Sequence, residues 1–337
     1  MKWYFSLISC LFAAQALCMK PYVPLFSLDG VNLTYDHLDN SQCTAPRSDS
    51  QGFQVMYRLR EDNKEEILGI VVHYTAGSTV QGAIDSFRKN GVSAHFMIDE
   101  GGETYFHVDP KYIAFHAGAS HFAEMSSLNK NFLGIEHVSL GFKEEEYPGG
   151  IQVPGDNRYW FPYPEEQIKA SAMLINGLQK KYHIAGYNIL GHADIAPGRK
   201  SDPGPLFPYK KLFNEFGVGY FFTETHPINL ENFAQLTDED HINIIKSIGY
   251  TPLDDKFYKN DKSKIHHLIQ AYQMHFAPEC ISGKLENCTK RAIIQHVIDL
   301  YNYVDQYTGE QHKYFRNTFD QLREKNPGQF QGFSEFI

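Results

Sequence analysis

Between residues 66 and 77 the chain reads EILGIVVHYTAG, in which apolar side chains run almost unbroken to one histidine and then stop at a glycine. A run of this kind predicts a strand buried on both faces. Residues 79–91, TVQGAIDSFRKNG, have a helical period and end at Gly91, which predicts a helix with a glycine cap. VSAHFMID (92–99) and ETYFHV (103–108) flank the turn EGG and predict a hairpin, and FLGIEHVSLG (132–141) is a further buried strand. A stretch rich in Glu, Gly and Pro over 142–164 predicts a loop. It precedes the clearest helix of this region, PEEQIKASAMLINGLQKKY (164–182). Strands alternating with helices predict an α/β fold. Its central β-sheet is expected to be mixed and flanked by helices, because the hairpin requires one antiparallel pair.

The pattern changes after GPLFPYKKLFNEFG (204–217). VGYFFTETHPINLENF (218–233) reads as a linker. TDEDHINIIKSIGY, KIHHLIQAYQMHF and CTKRAIIQHVIDLYNYV then place apolar residues every three or four positions with no strand between them. This predicts a small all-helical domain of about three helices, with one more in GEQHKYFRNTFDQLREKN. The division expected is a signal peptide over 1–18, an N-terminal extension over 19–49 and a catalytic domain over 50–216. A linker over 217–231, a helical domain over 232–305 and a helical tail over 306–337 complete it.

Composition narrows the function. A formal charge of −9 argues against nonspecific nucleic-acid binding, and no nucleic-acid partner is expected. The first residues, MKWYFSLISCLFAAQALCMK, combine Lys2, an apolar run and small residues near Ala16 and Cys18. They predict a secretory signal peptide and an exported protein. No later run reaches the ~18 apolar residues of a membrane span. Gln15-Ala16-Leu17 before Cys18 is a poor lipidation pattern, so no lipid anchor is expected. Cys10 and Cys18 would leave with the signal peptide. Cys280 and Cys288, eight apart, read as a small disulfide loop, and Cys43 is left over. None has the CxxC spacing of a zinc site, so a metal would have to be held by His and carboxylate.

Such a set is present. His73 ends an apolar strand, where a polar side chain reaches a strand rim. His192 and Asp202 lie in HADIAPGRKSDPGP (192–205), whose glycines and prolines exclude a regular helix or strand. Two imidazoles and one carboxylate are the ligands of a catalytic zinc with an open fourth position; a structural histidine and a solvated loop explain the same residues as well. Glu136, inside an apolar strand, is costly without a partner and suits a general base beside a metal site, or else an edge position or buried ion pair. Lys200 is placed to meet negative charge developing on a carbonyl, or is an ordinary surface lysine. His95 and His116 are candidate substrate contacts or packed histidines.

VVHYTAG, SAHFMID, AFHAG, LGIEHV and above all GHADIAPGRKSDPGP resemble the zinc-dependent N-acetylmuramoyl-L-alanine amidases, a family shared with peptidoglycan recognition proteins, and within it the bacterial AmiD-type enzymes. The resemblance covers roughly residues 50 to 215 and extends loosely into the helical segment, which is similar to small peptidoglycan-binding domains. It implies one Zn²⁺ per chain on His73, His192 and Asp202, with Glu136 as the acid/base and Lys200 stabilising the tetrahedral intermediate. His95 and His116 are then expected near the substrate. The implied partners are peptidoglycan or muropeptides, with the helical domain docking on the polymer. A non-catalytic recognition protein and a zinc peptidase acting within the stem peptide are the alternatives; the full ligand set counts against the first, and the missing H-x-x-E-H pattern against the second.

Overall fold

The computed structural model describes residues 27–35, 57–60, 65–223 and 230–304, with isolated positions beyond them. The expected signal peptide, Cys43 and nearly all of the C-terminal tail lie outside the described residues. Six strands form the central sheet: β1 (Thr34–Tyr35), β2 (Gly69–Tyr74), β3 (Phe96–Ile98), β4 (Thr104–Phe106), β5 (Phe132–His137) and β6 (Ile189–Gly191). Their order is β1-β4-β3-β5-β2-β6. Only β3 and β4, the two arms of the hairpin, pair antiparallel; the other four pairings are parallel, so the sheet is mixed. The unbroken apolar run has its cause in this order. β2 lies between β5 and β6, and Ile70, Val71 and Val72 are fully buried. The edge strand β1 comes from the segment read as an N-terminal extension.

Helix α1 (Val80–Asn90) is opened by the Thr79 hydroxyl, which accepts the Gly82 N–H, and it ends at Gly91 as expected. Helix α2 (Glu165–Tyr182) carries Gln167 in its first turn, and this side chain donates to the carbonyls of Ile98 and Val138 at the ends of β3 and β5. Two shorter helices follow: α3 (His192–Ile195), one turn that opens the 192–205 segment where no regular helix was expected, and α4 (Tyr209–Phe216) after it. The stretch 142–164 is more ordered than a loop. Phe142–Lys143, Ile151–Gln152 and Tyr159–Trp160 make a small antiparallel sheet, and the Arg158 guanidinium lies over both Phe142 and Trp160 while pairing with Asp156.

The helical region contains α5 (Asp238–Ile248), α6 (Asp261–Phe276) and α7 (Asn287–Val304). Capping boxes at Thr237/Asp240 and Asn260/Ser263 start the first two. Cys280 and Cys288 form the expected disulfide, with Cα atoms 6.6 Å apart. The expected linker departs from its reading. Val218, Tyr220, Phe221 and Phe222 are buried in the same apolar cluster as the sheet residues and the helices. Apolar side chains so close to a helical layer gain more by burial than a solvated linker would.

Sheet and helices thus share one core. Leu268 on α6 is fully buried within it. Leu268→Ala is expected to cost about 2–5 kcal/mol and to shift one cooperative unfolding transition for the whole chain. Scanning calorimetry showing two transitions, with only one displaced, would mean two independent units. Among the described residues, no helix is long and apolar enough to cross a membrane.

Candidate active site

His73 lies near the C-terminal end of β2 and Glu136 near that of β5, and the two are register partners across adjacent parallel strands. Side chains of such a pair leave the sheet on the same face. β6 is the neighbour on the other side, with Gly191 opposite Val72, and the next residue is His192. The chain turns through α3 and returns, and the Ala193 N–H donates to the Asp202 carbonyl at 2.8 Å, tying both ends of the segment together. The Gly-Pro content serves this reversal.

Three ligand atoms converge. His73 Nδ1 lies 2.9 Å from His192 Nδ1 and 2.9 Å from Asp202 Oδ2, and the last two are 3.0 Å apart. All three residues are buried, and among the described residues they are the one group of His, Cys, Asp and Glu that could hold a metal ion. Ligands 2.0–2.1 Å from a tetrahedral zinc are about 3.3 Å apart, so these spacings fit one ion with a position to spare.

The outer nitrogens bear on the tautomers. His192 Nε2 is 3.0 Å from the Ala117 carbonyl and 3.0 Å from the Arg199 guanidinium, and with Nδ1 turned to a metal it donates to the carbonyl. The same carbonyl accepts from Arg199. His73 Nε2 is 3.1 Å from His116 Nδ1, and His116 Nε2 is 3.2 Å from the Phe132 carbonyl. That carbonyl requires the proton on His116 Nε2, so His116 Nδ1 accepts from His73 and His73 Nδ1 is free to ligate. Position 134 has to be glycine for this: a Cβ there would stand 2.5 Å from the His116 ring.

Charge follows geometry. Burial, then the neighbouring His192, lowers His73 to about 4, so it is neutral near pH 7. Burial works against ionisation of Asp202, yet His192 and His73 hold its carboxyl well below the usual range. A neutral His73 and an ionised Asp202 are protonation states that zinc takes. Burial, then the Asp202 charge, pushes Glu136 well above the ordinary carboxyl value, with Lys200 opposing. Glu136 Oε2 is buried and makes no hydrogen bond among the described residues. Lys200 is exposed, and its backbone is pinned to the Ala196 carbonyl at 3.0 Å.

The structure therefore brings together His73, His192, Asp202 and Glu136, with Lys200 at the rim, and places His116 behind His73. It does not bring His95 to the cleft. His95 is fully buried, its Nε2 faces the Tyr112 carbonyl at 3.2 Å, and its Nδ1 accepts from the Gly134 N–H at 3.0 Å. With both nitrogens engaged by backbone, it has no atom left for substrate, and the expectation of a contact there is corrected. Asp194 was not singled out from the sequence, although it stands third in α3, where its carboxylate accepts the N–H of Gly191, the residue before the helix.

A model of the N-acetylmuramoyl-L-alanine amidase family matches residues 63–205, which contain every one of these groups. Residues 63–205 carry the domain of that family. The amidase domain and the helices after it are similar to the N-acetylmuramoyl-L-alanine amidase AmiD of Escherichia coli K12, with 29% identity over 241 residues, 69% of this chain and 82% of that protein. The 1,6-anhydro-N-acetylmuramyl-L-alanine amidase AmpD of Haemophilus influenzae is 27% identical over 187 residues, 50% of this chain and 92% of the other. Among solved structures, the E. coli AmiD complex with the substrate anhydro-N-acetylmuramic acid-L-Ala-D-gamma-Glu-L-Lys superposes with a TM-score of 0.59 at 26% identity, covering 70% of this chain and 91% of that one. AmpDh3 of Pseudomonas aeruginosa gives 0.59 at 26% identity, covering 70% and 94%. The buried His73/His192/Asp202 triad fits the single zinc site of this family.

The neutral histidines set a pH limit on the metal-free fold. Burial, then the Arg60 charge, lowers His95 to about 3, and burial lowers His137 to about 4, against an ordinary value of 6.5. Between pH 6.5 and about 4 the unfolded chain binds protons that the folded chain refuses, so stability falls as pH falls. Each such ring contributes a slope of up to about 1.4 kcal/mol per pH unit, and His73 adds a third. Urea midpoints of the metal-free protein should decline through this window. A flat profile would mean that the rings are already charged in the fold.

Proposed function

We propose that this protein hydrolyses the amide between N-acetylmuramic acid and the L-alanine of the peptidoglycan stem peptide. The observation that carries the reading is Glu136: a buried carboxyl oxygen with no hydrogen-bond partner, in register with His73 and beside a complete ligand triad. A structural carboxyl at that depth would be paired. When bound by His73, His192 and Asp202, a zinc ion supplies the Lewis acidity that brings the pKa of water to about 7 and polarises a carbonyl.

The chain's own groups do the rest. Glu136 accepts a proton from the attacking water and later delivers it to the departing L-alanine nitrogen, which leaves as a free amine. Its raised affinity for the proton suits both halves of that transfer. Lys200, at the exposed rim, places its ammonium toward the oxyanion that forms as the carbonyl is attacked. His116 acts through His73, holding its tautomer by accepting the Nε2 proton. The expected signal peptide puts this activity outside the cytosol, where the polymer is.

Purified muropeptides incubated with the protein should release intact stem peptide beginning at L-alanine, read by mass spectrometry. Cleavage inside the stem peptide would instead make it a peptidase. Glu136→Gln should keep one zinc per chain and lose roughly 10²- to 10⁴-fold in kcat. Asp202→Ala should lose the metal itself, measured by elemental analysis. Near-parental kcat for E136Q would assign the proton transfer to another group.

A further inference from the structure

Asp194 lies inside the metal-binding segment yet faces away from the triad, and it is buried. Its Oδ2 accepts the Gly191 N–H at 2.6 Å, across the turn where β6 becomes α3. That turn sets the direction of His192. The residue between them, Ala193, holds Asp202 through the carbonyl contact already described, so one tight reversal aims two of the three ligands. There is no slack in it. A Cβ at Gly191 would stand 2.6 Å from the Tyr209 hydroxyl and 2.8 Å from Pro203 Cδ.

The other two bonds to the Asp194 carboxylate come from the helical region. The Tyr250 hydroxyl, just after α5, donates to Oδ1 at 2.8 Å, and His275 Nδ1 on α6 donates to Oδ2 at 2.7 Å. His275 is stacked on Tyr209 of α4 with ring centroids 3.6 Å apart. The neighbouring carbonyl of Pro197 accepts from the Tyr258 hydroxyl at 2.9 Å, and the His267 ring lies against Gly198. Tyr209, Tyr250, Tyr258, His267 and His275 all lie beyond residue 205, where the amidase family match ends. A buried carboxylate with three donors is a stable anchor, whereas the same carboxylate with one donor would be costly enough to move.

We infer that the helical region is a working part of the metal site: through Tyr250 and His275 it fixes Asp194, and Asp194 fixes the turn that aims His192 and Asp202. Asp194, Tyr250 and His275 are positioning residues for the reaction proposed above, and the inference rests on that reading only for its effect on turnover. Its effect on metal binding stands apart from it.

The test uses the full chain, stripped of metal and titrated with zinc against a chromophoric chelator, and with cobalt(II) as a spectroscopic reporter of ligand geometry. Tyr250→Phe removes one hydroxyl and keeps the ring. Asp194→Asn keeps the shape and loses an acceptor. Gln273→Leu is the control: it sits on the same helix and breaks buried bonds to the Lys284 carbonyl, the Thr289 hydroxyl and the Ser282 and Gly283 N–H groups, none of which is bonded to Asp194. Y250F and D194N should each weaken zinc binding about 10- to 100-fold, alter the visible cobalt bands, and lower kcat more than they change KM. Q273L, at a comparable loss of Tm, should bind zinc within about twofold of the parent.

Parental zinc affinity and cobalt bands in Y250F would overturn the inference, as would Q273L reproducing the losses at equal Tm. Should D194N fail to fold, Y250F against Q273L decides alone. A parent that binds zinc normally but leaves muropeptides uncut would defeat the proposed reaction and leave this result intact.

Discussion

Two imidazole nitrogens and one carboxylate oxygen meet within 3.0 Å of one another, and the chemistry of the site depends on that meeting. The Asp202 carboxylate draws both rings toward it, and the rings are held close to each other by structure that cannot yield: a strand buried between two parallel neighbours for His73, and a tied reversal for His192 and Asp202. A flexible scaffold would relax by parting the ligands. This one holds them at a spacing that fits a tetrahedral ion, so that metal binding would release free energy rather than spend it on ordering.

Direction matters as much as distance. Each imidazole has two nitrogens, and only the one bearing its lone pair toward the centre is useful. Two backbone carbonyls, Ala117 for His192 and Phe132 by way of His116 for His73, favour the proton on the outer nitrogen. Backbone carbonyls accept only, so they act on this choice for as long as the rings are neutral. Glu136 obtains its character in the opposite way, from the lack of any partner at one oxygen. Precision on one side of the cleft and an unmet carboxylate on the other are complementary demands that one sheet satisfies with two adjacent strands.

Much of this was legible in the chain. The unbroken run ending at His73, the charged residue in FLGIEHVSLG and the Gly-Pro segment each break a local rule, and each proved to sit at the site. The mixed sheet was legible too, through the turn EGG. What stayed hidden depends on neighbours distant in sequence. His95 and His116 look alike as letters; a carbonyl at 112 and an amide at 134 enclose one, while the other touches a ligand. Tyr220 to Phe222 lie among Gly, Thr and Glu and read as a linker, because the helices that bury them come later in the chain. Asp194 could have been noticed as the third residue of a short helix after a glycine, but its partners, 56 and 81 residues away, carry no local mark.

That last separation also has a history in time. A chain emerging from the ribosome or threading through a membrane pore presents His73, His192 and Asp202 well before it presents His275. Contacts of long sequence separation form late, because the intervening chain has first to be drawn in. The donors that quiet the Asp194 carboxylate are therefore among the last to dock. A half-delivered molecule carries every candidate ligand on a segment not yet locked, and the metal site is complete only once nearly all of the described chain has arrived.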